Sequence, residues 1–186
     1  MIPVYVNEIK TALSNKLYFS ALALSLTLPD MCGSAEYPKD DVGKRYINWY
    51  DKYLGDYFSN KGGTLYDENP RLSGELVYNL RNTFLHQGVP NINSGKVKEE
   101  SNQIDRFILV LGDGSVIQDA SLRIQSSATD KVYMRAILVD VTFLCNCICD
   151  CANWYYENNK EKFKFDYNVV SQEELIISNT ENAEEA

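Results

Sequence analysis

Apolar positions recur at helical spacing over most of this chain, and a single stretch departs from that period. Near the start, Pro3 can occupy the first turn of a helix, and Val4, Ile9 and Leu13 fall on roughly one face. From Lys16 to Leu28, the residues Leu17, Ala21, Leu24 and Leu28 keep three-to-four spacing while Leu22 and Leu26 widen the stripe, which predicts a well-buried helix. Pro29 is expected to stop it, with Gly33 to Lys39 as loop. Asp40 or Asp41 can cap a following helix that runs to about Tyr57. Its Tyr46, Tyr50, Tyr53 and Tyr57 line one edge beside Ile47, Trp49 and Leu54, and an aromatic stripe at this spacing reads as packing. Ser59 to Pro70 reads as a loop around Gly62 and Gly63.

The next helix is predicted from about Leu72 to Gln87, terminated by Gly88 and Pro90. It carries two lines of residues. Leu72, Leu76, Leu80 and Phe84 step by four along an apolar face, while Glu75, Asn79, Asn82 and His86 follow a polar one with Arg81 on its border. After a polar stretch from Asn91 to Glu100 the period changes. Asp105 to Leu111 is β-rich, Gly112-Asp113-Gly114 reads as a hairpin turn, and Val116 to Gln125 and Val132 to Leu138 alternate loosely. These segments predict a small antiparallel β-meander, at about residues 105–138, inserted before the last long helix. That helix is expected from about Val139 to Asn158, with Val141, Leu144, Ile148, Cys151 and Tyr155 as its apolar stripe. The fold class is therefore mainly α, a helical bundle with a β insertion. Residues 1–170 read as a single domain and residues 171–186, acidic, small and polar, as a disordered tail.

Composition adds two constraints. The formal charge of −8 argues against a broad basic nucleic-acid footprint and against an anionic membrane surface. A small local RNA site stays open, because part of the acidity sits in the tail after Glu173. The five cysteines are an odd number, four of them packed into Cys145-Asn146-Cys147-Ile148-Cys149-Asp150-Cys151, which is not a disulfide framework and fits a reducing cytoplasm. The apolar run from Leu17 to Leu28 behind Lys10 and Lys16 resembles a secretory signal, but Pro29 and Asp30 follow it at once. It is too short to span a bilayer, and the stretch from Ala136 to Ala152 carries Asp140 and Asp150, so no membrane association is expected.

Alternate spacing on a helix throws neighbouring cysteines about 200° apart, so the four thiols cannot converge on one ion. Only the pairs Cys145/Cys149 and Cys147/Cys151 share a face, and all four read as small buried hydrophobes. Gly112-Asp113-Gly114 is no phosphate cradle, since no helix start follows it, and Asp140, Asp150 and Asp166 are scattered. Neither a metal nor a cofactor is expected.

The chemistry concentrates in Leu80-Arg81-Asn82-Thr83-Phe84-Leu85-His86, which holds the chain's single histidine. Arg81 can hold a phosphate, His86 can move a proton, and Asn82, four residues before His86, can orient the imidazole. A histidine near a helix C-terminus also complements the macrodipole without any chemistry. Spacing, the polar residue directly after Arg81 and the helical surroundings together carry the stronger reading.

That combination resembles the HEPN superfamily, marked by Arg, four to six residues, then His, late in a helix of a small helical bundle. Arg81-Asn82-Thr83-Phe84-Leu85-His86 matches the pattern in full, including the Asn that commonly follows the arginine, whereas the β insertion departs from it. The resemblance implies a HEPN-like bundle and a metal-independent endoribonuclease of toxin–antitoxin, phage-defence or RNA-processing type. It assigns catalysis to Arg81 and His86 with Asn82 in support. Asn79, Glu75 and Tyr78 are the candidates for substrate binding or an interface.

RNA cleavage by its own 2′-hydroxyl needs one group to take a proton and another to give one. With one histidine per chain, a two-histidine site needs a homodimer, in which a two-fold axis beside the motif helices would join two copies of His86 and Arg81. The expected products carry 2′,3′-cyclic phosphate and 5′-hydroxyl ends, and an antitoxin or regulatory protein is a possible partner. The alternative is a non-catalytic helical module that binds nucleotide, RNA or a partner protein through the same face. A third reading is a structural subunit in which Arg81 and His86 make ordinary surface contacts.

Overall fold

The computed structural model describes residues 1–58, 72–87, 104–114, 120–125 and 132–164. Among them are six α-helices and three strands. These are α1 (Ile2–Ser14), α2 (Tyr18–Ser25), α3 (Leu28–Glu36), α4 (Val42–Tyr53), α5 (Gly74–Gln87), β1 (Arg106–Val110), β2 (Ala120–Gln125), β3 (Val132–Asp140) and α6 (Val141–Glu157), followed by a short 3₁₀ turn at Lys160–Lys162. The chain is mainly helical with a small sheet, as its periodicities predict. The loops expected at Ser59–Pro70 and Asn91–Glu100 and the tail at 171–186 fall largely or wholly outside the described residues.

Pro3 stands in the first turn of α1, where its missing N–H costs nothing. The helix ends in a Schellman arrangement: Lys16 N–H donates to Leu13 O at 2.9 Å and Leu17 N–H to Ala12 O at 2.8 Å. The left-handed position in that motif is filled by Lys16, with φ of 60°.

The single helix expected from Lys16 to Leu28 is instead two. Proline lacks the N–H that would reach back four residues, and its ring would collide with that carbonyl. The backbone therefore turns after Ser25, with Thr27 Oγ1 donating to Leu24 O at 2.7 Å, and α3 starts afresh at Leu28. Pro29 sits in the first turn of α3, so it opens a helix rather than closing one. Most of the loop expected at Gly33–Lys39 is accordingly helical. Gly33 lies where α3 meets α4 closely, since a Cβ there would stand 2.6 Å from Arg45 O.

Asp41 is the residue that caps α4, accepting from Lys44 N at 3.0 Å. The helix ends at Tyr53, short of Tyr57, which is exposed, while Tyr46, Trp49 and Tyr50 are fully buried. Asp51 on α4 holds the start of α5, its Oδ1 accepting from Gly74 N at 2.6 Å. This bond serves an N–H at the helix start that has no partner within its own helix. Leu76, Val77 and Leu80 of α5 are buried against the core, and Phe84 is half-buried.

The sheet is not the antiparallel meander the sequence suggested. Its order is β1-β3-β2, with β1 parallel to β3 (Val110 opposite Asp140) and β2 antiparallel to β3. Gly112-Asp113-Gly114 consequently does not close a hairpin. The ends of β1 and β3 meet at the start of α6, where Thr142 Oγ1 donates to Gly112 O at 2.6 Å. The apolar β3, with Ala136, Ile137 and Val139 buried, takes the central place because it can bury both flanks. It runs straight into α6 through Asp140, whose side chain accepts from Phe143 N at 2.9 Å, so the last helix begins at Val141.

One cluster of buried side chains joins residues from α1 through α6 with Phe107, Ile137 and Val139 of the sheet. Helix α6 packs on α1, α2 and α3, while α4 lies between α3 and α5. Among the described residues no helix is long and apolar enough to cross a membrane.

Candidate functional site

The expected motif helix is present as α5, and its polar line faces a cleft. Glu75, Tyr78, Asn79 and Asn82 line a cavity of about 440 Å³ against Gly43, Lys44, Ile47 and Asn48 of α4, with the capping Asp41 at its rim. The narrow approach of the two helices there depends on Gly43. A Cβ at that position would lie 3.3 Å from the Tyr78 ring.

Arg81 occupies the next arc of α5 and points away from bulk solvent, its side chain only 19% exposed. Nη1 donates to Asn82 Oδ1 at 2.9 Å, Nη2 lies 3.9 Å from Asp30 Oδ2, and the guanidinium carbon stands 5.9 Å from the centre of the Tyr78 ring. Arg81 Nε is buried without a hydrogen-bond partner among the described residues. Asp30, from the first turn of α3, is held by Arg45 of α4, whose Nε and Nη2 both reach Oδ1, at 2.9 and 2.8 Å. Two guanidinium groups thus share one carboxylate in a partly buried setting. Tyr46 is fully buried, its ring centre 5.2 Å from that of Tyr78. Its hydroxyl donates to Leu26 O at 3.1 Å, and burial, despite the nearby Arg81, pushes its pKa far above the ordinary phenol value.

The structure therefore brings Arg81, Asn82, Asn79, Tyr78 and Glu75 together. Glu75, Tyr78, Asn79 and Asn82 line the cleft, Arg81 sits behind it, and Asn82 joins the two. His86 lies on the last turn of α5, one turn beyond Asn82, and its side chain is outside the described residues. Asn82 Oδ1 accepts from Arg81, which orients the amide and leaves its N–H groups available to a neighbour on the next turn. Sequence reasoning missed Asp30 and Arg45. The signal for Asp30 was present as an acidic residue in the first turn of a helix opened by Pro29, but it was obscured by reading that proline as a stop.

The cysteines play no part in this cleft. Cys145 and Cys149 are fully buried, with Cys145 Sγ 3.3 Å from Ser25 Oγ, and burial raises both thiols to about 12. Cys147 and Cys151 are half-buried on the other face of α6, and burial raises them to about 11 and about 12. All four are thus protonated at neutral pH, which makes them poor ligands and nucleophiles. Among the described residues no three of His, Cys, Asp and Glu converge as a metal site would require.

A second charged cluster holds the bundle together elsewhere. Glu36, at the end of α3, accepts from Lys52 at 2.6 Å and Tyr53 at 3.2 Å on one oxygen, and from Lys162 at 2.7 Å and Tyr155 at 2.8 Å on the other. Burial by itself would raise this carboxyl, but the hydrogen bonds from Lys162, Lys52 and Tyr155 together outweigh it and hold the pKa at about 2. It ties α3, α4 and α6 to the 3₁₀ turn, with every acceptor position filled from within the chain. No family model, no curated protein and no solved structure matches the chain, so function rests on the geometry of this cleft and its arginine.

Proposed function

We propose that this chain is a HEPN-like helical protein acting as a homodimeric, metal-independent endoribonuclease. Arg81 and His86 are its catalytic residues, with Asn82 in support, and the products carry 2′,3′-cyclic phosphate ends. The observation that carries the reading is the charge imbalance around Arg81: among the described residues Arg45 and Arg81 share Asp30, two positive charges to one negative, in a setting where each side chain is only about one-fifth exposed. An uncompensated, partly desolvated guanidinium is costly, and an incoming phosphate is the group that would offset it. Its support by Asp30 and Asn82 fixes its orientation in advance, as stabilisation of a transition-state oxyanion requires. A second copy would supply the second imidazole, because each chain has one. The cytoplasm, and a role as a toxin or phage-defence effector under the control of an antitoxin or regulatory protein, belong to the same proposal.

The test is cleavage of RNA in EDTA by wild type and His86→Ala. The wild type is expected to cut and the variant to be inactive while keeping its fold and dimeric state; equal cutting by the two would end the proposal. Arg81 is tied into the packing, so Arg81→Lys is the companion variant that keeps the charge but loses the planar fork. One observation favours the rival reading of a non-catalytic binding module: Arg81 is about four-fifths buried rather than displayed to solvent. Growth arrest on expression that His86→Ala relieves separates the two, since a binding module would not depend on a proton-transfer residue.

A further inference from the structure

We infer that the cleft between α4 and α5 is a nucleobase pocket, which seats one base of the RNA beside the scissile phosphate. This deepens the proposed function and rests on it only for the identity of the ligand as RNA. The argument starts from two amides whose orientations are fixed by partners of one sign. Asn79 Nδ2 donates to the Glu75 carbonyl at 2.9 Å, and a carbonyl cannot donate in return, so Asn79 Oδ1 is left as an acceptor. Asn82 Oδ1 accepts from the Arg81 guanidinium, which cannot accept, so Asn82 Nδ2 is left as a donor. The two residues are three apart on one helix and line the same cavity, so they present an acceptor and a donor side by side. Every nucleobase carries the complementary pair, a ring or exocyclic N–H beside a ring nitrogen or carbonyl oxygen.

The walls fit the same occupant. Ile47 and the Tyr78 ring supply apolar and aromatic surface, and the volume of about 440 Å³ lies within the range of small-ligand sites. Charge excludes the phosphate from this part of the site. Asp41 stands at the cleft beside Lys44, whose ammonium is already bound by Asp40 Oδ1 at 3.1 Å. A neutral planar group that makes hydrogen bonds is favoured there, while the phosphate is favoured at Arg81, and Asn82 touches both regions. This division also lets a chain of charge −8 engage RNA at a small local site.

The experiment is titration of the whole chain with AMP, GMP, CMP and UMP, with ribose 5-phosphate as the baseless control, followed by calorimetry and by the side-chain amide signals of Asn79 and Asn82 in nitrogen-15 spectra. At least one nucleotide is expected to bind ten or more times tighter than ribose 5-phosphate and to shift both amide signals. Asn79→Ala, checked for an unchanged melting temperature, is expected to weaken that nucleotide about tenfold. Should the variant not fold, the amide shifts in the wild type decide alone. Ribose 5-phosphate binding as well as any nucleotide, or amide signals that stay in place, or a folded Asn79→Ala of unchanged affinity, would overturn the inference. Nucleotide binding without RNA cleavage would remove the nuclease reading and leave the pocket; cleavage dependent on His86 without nucleotide binding would do the reverse.

Discussion

Arg81 Nη1 donates to Asn82 Oδ1 at 2.9 Å, so two consecutive residues of α5 couple a partly buried charge cluster to an open cleft. Consecutive residues on a helix point about 100° apart, and only a long side chain such as arginine can fold back to make this contact. One consequence is that changes behind the cleft, at Asp30 or Gly33, should be felt inside it.

Asp30→Asn keeps the shape of the side chain and removes the charge that Arg45 and Arg81 share. With both guanidinium groups left facing a neutral amide, stability is expected to fall by about 1–3 kcal/mol in denaturant unfolding. If RNA is the substrate, kcat should fall about tenfold with little change in KM, because Asp30 orients Arg81 and is not expected to touch substrate. Asp30→Glu should restore part of the stability; an Asp30→Asn protein as stable and as active as wild type would show that Arg81 is held by other means.

Gly33→Ala forces a methyl group to within 2.6 Å of Arg45 O, a backbone atom that cannot rotate away. The helices α3 and α4 must separate by several tenths of an ångström, at a cost of about 1–3 kcal/mol. The same displacement carries Arg45 from Asp30, so the loss of stability should come with loss of function. A thermal melt unchanged from wild type would mean that the close approach is not kept in solution.

Glu36 predicts an acid-sensitive step. Its carboxyl sits at about 2 in the folded chain against an ordinary value of 4.5, so the folded state holds its proton less tightly than the unfolded state. The stabilisation it provides is complete above pH 4.5 and is lost as pH falls from there towards 2. Glu36→Gln should therefore cost about 1–2 kcal/mol at pH 7 and shrink to little by pH 2.5. Urea midpoints of both proteins across that range measure it, and parallel curves would contradict the role given to Glu36.

Lys16 holds the left-handed position that closes α1, at a φ of 60°, where a side chain is strained and glycine is not. Lys16→Gly is expected to stabilise by about 0.5 kcal/mol, the relief of strain being partly offset by the greater freedom of glycine in the unfolded chain. A fall in the unfolding midpoint would show that contacts of the lysine stem outweigh the strain.

The helices around the cleft were legible in the sequence because each announces itself locally. Leu76 and Leu80 mark the buried side of α5, Asp41 is one of the two cap residues the sequence offered, and Glu75, Asn79 and Asn82 mark the side that lines the cleft. The break between α2 and α3 was also local, but Pro29 has two meanings, a stop for the helix behind it and a first turn for the helix ahead. Periodicity alone does not choose between them. Strand pairing was beyond reach for a different reason: β1 and β3 each read as strands, yet which neighbours which is set by side chains and connections many residues apart.

The sequence by itself determined that the chain is mainly helical, which faces of α4, α5 and α6 are apolar, and that one short segment holds Arg81, Asn82 and His86. Tertiary structure alone decided that Arg81 turns inward to a carboxylate fifty-one residues earlier, and that Arg45 already occupies that carboxylate. The reason is physical: a helix fixes the direction of its residues from local hydrogen bonds, but the partner a charged side chain meets depends on how separate helices pack, and here the close approach at Gly33 sets that packing.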